Sequence, residues 1–225
     1  MVDPLLEAKR NARLLRYGQD KSKDKSQAIE LDDDIFRGHA YSEALLITDH
    51  SAPTLSANLN SVYKRLGIPV NSVEAFVYAS ADLNASCFSG DGGACIIRFS
   101  SALINLLELD EFAFVAGHEL GHFLLDHWQD RSHAQDHSLE YFIAKRAAEI
   151  TVDRIGLVSC GNLQASIRAM IKSISGLDSK YLRFDVNQFI SQAEKTSGIG
   201  SSGFGNTHPS MVSRCRALLW FSMDT

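Results

Sequence analysis

The chain has 225 residues, of which 45% are apolar and 22% charged, so it can bury a core and is neither collagenous nor wholly disordered. Its 27 acidic and 22 basic side chains give a net charge of −5, the wrong sign for a protein that coats nucleic acid. No run of about 18 apolar residues and no apolar leader is present, so neither a membrane-spanning helix nor a secretory signal is predicted. Four cysteines without a C-x-x-C pair predict reduced thiols and a cytoplasmic protein.

The first 27 residues are predicted to form a short helix and a polar, Lys-rich linker. Asp3 and Pro4 suit a helix start and Gly18 suits its end, whereas residues 19–27 show no apolar periodicity. We therefore divide the chain into this segment, residues 1–27, and a single domain, residues 28–225. The excess of basic side chains in the segment fits either a solvated helix and loop or an arm that binds a partner.

The first half of the domain is predicted to contain one helix and a small antiparallel sheet. Apolar residues recur at helical spacing over residues 51–67, and a glycine ends the pattern. Residues 73–78 are rich in β-formers. Residues 84–88 and 94–99 are two short runs joined by a glycine-rich turn, which predicts a hairpin.

The second half is predicted to be helical. Residues 111–127, with Asp110 as cap, are apolar on nearly every side, as expected of a helix buried in a core. A Gly- and Ser-rich loop is expected at residues 197–205. Further helices are predicted over residues 138–158 with a break near Gly156, residues 163–174, residues 185–195, and residues 209–218. The fold class is therefore α+β, mostly helical, with the sheet beside the buried central helix.

The central helix carries His118-Glu119-Leu120-Gly121-His122, an H-E-x-x-H motif. Because an α-helix has 3.6 residues per turn, His118 and His122 leave the same face one turn apart and can bind one Zn²⁺ together. Glu119 flanks that face and can activate a zinc-bound water as a general base. A catalytic zinc site has three protein ligands and an open position, so a third ligand must come from elsewhere.

The third ligand is predicted to be a carboxylate on a later helix. Leu125 and Trp128 stand where metzincins have a glycine and a third histidine, which excludes that class. Glu149 and Asp153 share a helix face, so we predict Glu149 as ligand and Asp153 as acceptor of the outer N–H of a ligating histidine. The alternative is that both are solvated charges, with Asp153 bridged to a neighbouring arginine.

Other candidate ligands are interpreted as structural. His127 lies five residues after His122, on a different face of a continuous helix, so it is expected to be a packed or surface histidine. Cys87 is either a small buried apolar residue or a thiolate that blocks the zinc site. The remaining histidines with no partner at metal spacing are His39, His50, His133 and His137.

Together, these residues resemble the gluzincin metallopeptidases typified by the HtpX heat-shock protease and the CAAX prenyl protease. The resemblance covers about residues 75–220. Its elements are the Asn84-Ala85 strand, the glycine-rich turn, the H-E-x-x-H motif, His127, Glu149 with Asp153-Arg154, and Thr207-His208-Pro209-Ser210 with Arg214. It implies a zincin-like catalytic domain, here without the family's membrane helices. Phage-repressor-cleaving relatives share the motif and a downstream Glu but lack the His-Pro element.

The resemblance implies a zinc-dependent endopeptidase with one Zn²⁺ per chain. It places His208 near the zinc as a donor to the developing oxyanion, with Arg214 either bracing His208 or pairing with Asp153. His208 is alternatively an ordinary residue at a helix start before Pro209.

The expected substrate is an unfolded or flexible polypeptide segment. One hairpin strand, near Asn84 and Ala85, is expected to be a sheet edge beside the zinc, where an extended segment pairs by backbone hydrogen bonds. The alternative is a noncatalytic or latent zinc-binding regulatory domain, in the latent case with residues 1–27 filling the cleft.

Overall fold

The structure is a computed structural model that describes residues 38, 40–89, 95–127, 139–183, 186–191 and 209–223. The predicted N-terminal helix and linker, the glycine-rich turn, the loop at residues 197–205 and His208 lie outside these residues. In chain order the elements are β1 (Leu45–Leu46), α1 (Pro53–Leu66), β2 (Val73–Tyr78), β3 (Ala85–Ser89), β4 (Cys95–Ser100), α2 (Ser101–Leu106), α3 (Leu109–Leu124), α4 (Leu139–Cys160), α5 (Leu163–Ser175), α6 (Val186–Ser191) and α7 (Met211–Met223).

The described residues confirm a mostly helical α+β fold with one small sheet, in the strand order β1-β2-β4-β3. β3 and β4 form the predicted antiparallel hairpin. The expectation of a wholly antiparallel sheet is wrong, because β2 pairs with β4 in parallel. After β2 the chain forms β3 two positions away in the sheet. β4 then occupies the position between β2 and β3. β3 is consequently an edge of the described sheet.

The two faces of the sheet pack against different groups. Cys87, Ile97 and Phe99 belong to the main core, which the helices share. On the opposite face, Phe76 and Ile96 form a smaller cluster with residue 40. Because β4 is covered on both faces and lies between two strands, its residues are buried along the whole strand except at the half-buried Arg98.

The central helix α3 is buried along most of its length, as its composition predicted. Its start differs from the prediction, because Glu108 is the N-cap residue and Asp110 lies within the first turn. The backbone N–H of Glu108 donates to Oε2 of Glu111 at 2.9 Å, which satisfies a donor at the helix start. The helix also ends earlier than predicted, at Leu124.

The predicted break near Gly156 is absent, since α4 continues through that residue to its end. A Cβ atom added at Gly156 would lie 2.8 Å from the carbonyl oxygen of Phe114 on α3. A Cβ atom at Gly117 of α3 would collide with the side chain of Ser159 on α4. Both glycines therefore serve close packing between α3 and α4, and helix propensity alone misjudges them.

The remaining helices follow the predicted pattern. α1 ends at Leu66 and is capped by Gly67, which is left-handed with φ 64°. α7 begins two residues after Pro209 and continues to Met223, five residues beyond the predicted end. α6 covers part of the helix predicted over residues 185–195. None of the described helices combines the length and apolarity needed to cross a bilayer.

A buried ion cluster ties the start of α3 to α5. The side chains of Glu111 and Lys172 are each at most 1% exposed. Lys172 Nζ donates to Glu111 Oε2 at 2.7 Å and to the Leu106 carbonyl at 3.0 Å, and Arg168 Nε donates to Glu111 Oε1 at 3.0 Å. Removing Lys172 would leave the buried Glu111 with Arg168 as its remaining partner in this cluster and would take the donor from the Leu106 carbonyl.

We therefore expect Lys172→Met to lower the free energy of unfolding by about 3–5 kcal/mol, measured by denaturant titration. The matched control is Lys64→Met on α1, whose side chain is exposed. The control should change the free energy of unfolding by about 0.5 kcal/mol or less. Equal effects of the two substitutions would contradict the structural role of the Glu111 cluster.

Candidate metal centre

The structure brings His118, His122 and Glu149 together. His118 Nε2 lies 3.7 Å from Glu149 Oε2, and His122 Nε2 lies 3.5 Å from Glu149 Oε1. One ligand atom from each of the three residues falls within 4.8 Å of the others, and this is the one such group in the part of the chain that the structure describes. Glu149 is buried, at 7% exposure.

This geometry fits a single divalent ion. Bonds of about 2.0–2.1 Å to a tetrahedral Zn²⁺ place neighbouring ligand atoms about 3.4 Å apart. The distances of 3.5 and 3.7 Å between the Glu149 oxygens and the two ring nitrogens are close to that spacing. Two imidazole nitrogens and one carboxylate oxygen are also the donor set of known catalytic zinc sites with an open fourth position.

Asp153 orients His118 through Nδ1, the ring nitrogen that does not face Glu149. Asp153 Oδ1 lies 2.9 Å from His118 Nδ1, and the Asp153 side chain is 1% exposed, so it is not a solvated helix charge. Burial alone would raise the pKa of Asp153, but hydrogen bonds from Arg214 and His118 outweigh it and hold the pKa below its ordinary value. Because an ionised carboxylate can only accept, His118 carries a proton on Nδ1, and its other ring nitrogen, Nε2, faces Glu149.

Arg214 joins both carboxylates of α4 to α7. Its Nε and one terminal nitrogen donate to the two oxygens of Asp153 at 2.7 and 2.6 Å. Its other terminal nitrogen lies 3.5 Å from Glu149 Oε2. Of the two roles predicted for Arg214, the pairing with Asp153 is the one present, and the bracing of His208 lies outside the described residues. A single guanidinium thus contacts both buried carboxylates.

His127 makes a contact that the sequence analysis missed. α3 ends at Leu124, and Asp126 adopts a left-handed conformation with φ 59°. The N–H of Asp126 donates to the Phe123 carbonyl and that of His127 to the His122 carbonyl, which is the Schellman pattern. This turn brings His127 Nδ1 to 2.9 Å from His122 Nδ1. Glycine is the usual residue at such a left-handed position, and because Asp126 occupies it here, residue type did not indicate this turn.

Burial shifts the proton affinities of the ionisable groups around the centre. Desolvation, assisted by the nearby Glu149, raises the pKa of Glu119 to about 7. Desolvation, assisted by His118 and His127, lowers the pKa of His122 to about 3, so its ring is neutral. Desolvation would also lower the pKa of His118. The hydrogen bond and charge of Asp153 outweigh it and raise the pKa of His118 above its ordinary value.

The centre opens into a cleft of about 440 Å³. Glu119 lines it together with the metal-ligating candidates, and His127 contributes to its wall. Cys87 also reaches the wall, but its thiol is buried 2.9 Å from that of Cys95 and outside the group that could hold a metal. Apolar side chains from separate segments complete the walls, and the sequence analysis placed none of them in a cleft: Leu83, Leu103, Phe114, Val115, Met170 and Met211.

The edge strand β3 forms one wall of the cleft, where Asn84 and Ala85 lie. The Asn84 carbonyl accepts a hydrogen bond from the Ser100 N–H at 2.9 Å, so these two residues form a hydrogen-bonded pair of the ladder. Because the two kinds of pair alternate along an antiparallel ladder, the next pair, Ala85 with Phe99, is a non-hydrogen-bonded pair. The backbone N–H and C=O of Ala85 consequently point away from β4, towards the outer edge of the sheet. The Asn84 side chain donates to the Tyr78 hydroxyl at 3.2 Å.

Residues 49–144 match the family model for peptidase family M48. The matched segment contains the H-E-x-x-H helix and ends five residues before Glu149. It begins earlier than the resemblance described above, because α1 and the start of β2 also carry the family pattern. This segment of the chain is thus similar to a family of metal-dependent peptidases. Searches among curated proteins and among solved structures gave no significant match.

Proposed function

We propose that this chain is a zinc-dependent endopeptidase of the HtpX and CAAX prenyl protease type, with its catalytic domain in residues 28–225. The observation that carries the proposal is the convergence of two imidazole nitrogens and the Glu149 carboxylate beside Glu119, in an open cleft. The match to peptidase family M48 supports the same reaction class.

His118, His122 and Glu149 would hold one Zn²⁺. When bound, this ion lowers the pKa of a water molecule towards about 7 and polarises the scissile carbonyl. Glu119 accepts the proton of the attacking water and passes it to the leaving amine. Burial keeps the pKa of Glu119 at about 7, and a general base is most effective when its pKa lies near the working pH.

Asp153 and Arg214 act as positioning residues in this proposal. Asp153 fixes the ring orientation and tautomer of His118. Arg214 contacts the carboxylates of Asp153 and Glu149 and holds both in position. His208 remains the proposed donor to the developing oxyanion. That role rests on the sequence resemblance, since His208 lies outside the described residues.

The proposed substrate is an unfolded or flexible polypeptide segment that binds as an added strand. β3 is an edge of the described sheet and lines the cleft, and Ala85 directs its backbone polar groups outward. An extended peptide can pair with such an edge through main-chain hydrogen bonds, which do not depend on its sequence. Compact folded domains do not offer an extended segment of this kind.

We expect Glu119→Gln to lower kcat on an unfolded polypeptide such as casein by at least about a hundredfold, because the amide cannot accept the proton. Zinc content, measured by elemental analysis, should equal that of wild type. Glu43→Gln, at an exposed position, serves as the matched control and should keep full activity. Full activity of Glu119→Gln would contradict the proposed general base. Zinc in both proteins with hydrolysis in neither would support the noncatalytic or latent alternative.

We expect Ala85→Pro to lower kcat/KM on the same polypeptide by about tenfold, since it removes one backbone donor to the substrate. Proline is tolerated at an edge strand where the N–H points outward, so folding and zinc content should be retained. Ala85→Ser keeps the N–H and should behave as wild type. If the two variants hydrolyse the polypeptide equally well, the substrate does not pair at this position of β3.

A further inference from the structure

The two candidate histidine ligands are supported by different groups. His118 Nδ1 lies 2.9 Å from an oxygen of Asp153, and His122 Nδ1 lies 2.9 Å from Nδ1 of His127. The opposite nitrogen of each ring, Nε2, faces Glu149. Each ring is thus held at the nitrogen that does not face the proposed ion, in one case by a carboxylate and in the other by a second imidazole.

The contact between His122 and His127 allows two proton arrangements. Two Nδ1 atoms at this distance share one proton, so one ring donates and the other accepts. If His127 donated, the proton of a neutral His122 would lie on Nε2, which would then lack the lone pair needed to bind an ion. If His122 donates, its Nε2 lone pair faces Glu149. The arrangement compatible with metal binding is therefore the one in which His127 accepts.

From this geometry we propose that His127 is a positioning residue: it accepts the Nδ1–H of His122 and thereby fixes His122 in the metal-binding tautomer. The inference rests on the proposed function, because it concerns a ligand of the same ion. It assigns a role at the site to His127, which its spacing in the sequence predicted to be only a packed or surface histidine.

The backbone turn after α3 supports this role. The left-handed Asp126 and the hydrogen bond from the His127 N–H to the His122 carbonyl fold the chain back against the last turn of the helix. The two rings meet edge to face, with centroids 5.1 Å apart and an interplanar angle of 68°. His127 is also half-buried, so its orientation is restricted by its surroundings. The acceptor is therefore held by the fold as well as by the hydrogen bond.

The acceptor of His122 differs in charge from that of His118. Asp153 is ionised and held by Arg214, and it increases the basicity of His118. A neutral imidazole orients His122 without adding a negative charge. Loss of an orienting partner commonly weakens metal binding by about 10- to 100-fold. We expect the lower end of that range at His127, because its contribution is the orientation of the ring and not a charge.

The test compares His127→Leu with His127→Asn in the full chain, by zinc competition against a chelator of known affinity. Leucine removes the acceptor, and the zinc dissociation constant should rise about tenfold. The amide oxygen of asparagine occupies about the same position as imidazole Nδ1, so His127→Asn should bind zinc within about twofold of wild type. His50→Leu, at an exposed histidine outside the centre, is the matched control and should bind as wild type.

A second measurement uses the wild-type protein and does not depend on how the variants fold. Nitrogen NMR of the zinc-loaded protein should show a coupling between the two nitrogens of the hydrogen bond from the Nδ1–H of His122 to Nδ1 of His127. The inference is overturned if that coupling is absent, if His127→Leu binds zinc as tightly as wild type, or if His127→Asn gives no rescue.

Zinc binding and casein hydrolysis, measured on wild type and on His127→Leu, separate this inference from the proposed function. Wild type that binds zinc and hydrolyses casein, beside a His127→Leu variant with unchanged zinc affinity, refutes the role of His127 alone. Wild type that binds zinc without hydrolysing casein refutes the peptidase and leaves the zinc competition to decide His127. Wild type that binds no zinc refutes both.

Discussion

The close contact between α3 and α4 is the constraint on which the rest of the site depends. The Glu149 oxygens lie 3.5 and 3.7 Å from the two ring nitrogens, and this is possible only because the two helices pack with little space between them. Gly117 and Gly156 permit that approach, since a Cβ atom at either would meet the opposite helix. The Glu149 carboxylate that this contact brings close also contributes, after burial, to the raised pKa of Glu119. The geometry of the candidate metal site thus follows from the packing of the two helices.

Such a site concentrates charge in a poorly solvated region, and basic side chains from other helices contact its buried carboxylates. Arg214 bridges the two carboxylates of α4, and through it α7 becomes part of the centre. At the other end of α3, Lys172 and Arg168 neutralise the buried Glu111. The motif helix is therefore fixed at its start by an ion cluster and at its end by the turn that carries His127. A ligand pair on a helix fixed at both ends needs little rearrangement to bind an ion.

The sequence predicts local features well here and tertiary features less well. The H-E-x-x-H helix, the hairpin and the pairing of Glu149 with Asp153 follow from spacing along single elements, and the structure places those residues together. The parallel pairing of β2 with β4 does not follow, because periodicity within strands says nothing about which strands become neighbours. Gly156 suggested a break because glycine weakens isolated helices, whereas here contact with α3 requires it. The apolar walls of the cleft come from distant segments, so no local pattern identifies them.

The most direct test of the central claim is a crystal structure of the zinc-loaded protein with anomalous diffraction at the zinc edge. We expect one zinc ion per chain, bound by Nε2 of His118, Nε2 of His122 and a carboxylate oxygen of Glu149, at about 2.0–2.2 Å, with a fourth position open to solvent. Zinc at another location, or zinc enclosed by four protein ligands, would contradict the account.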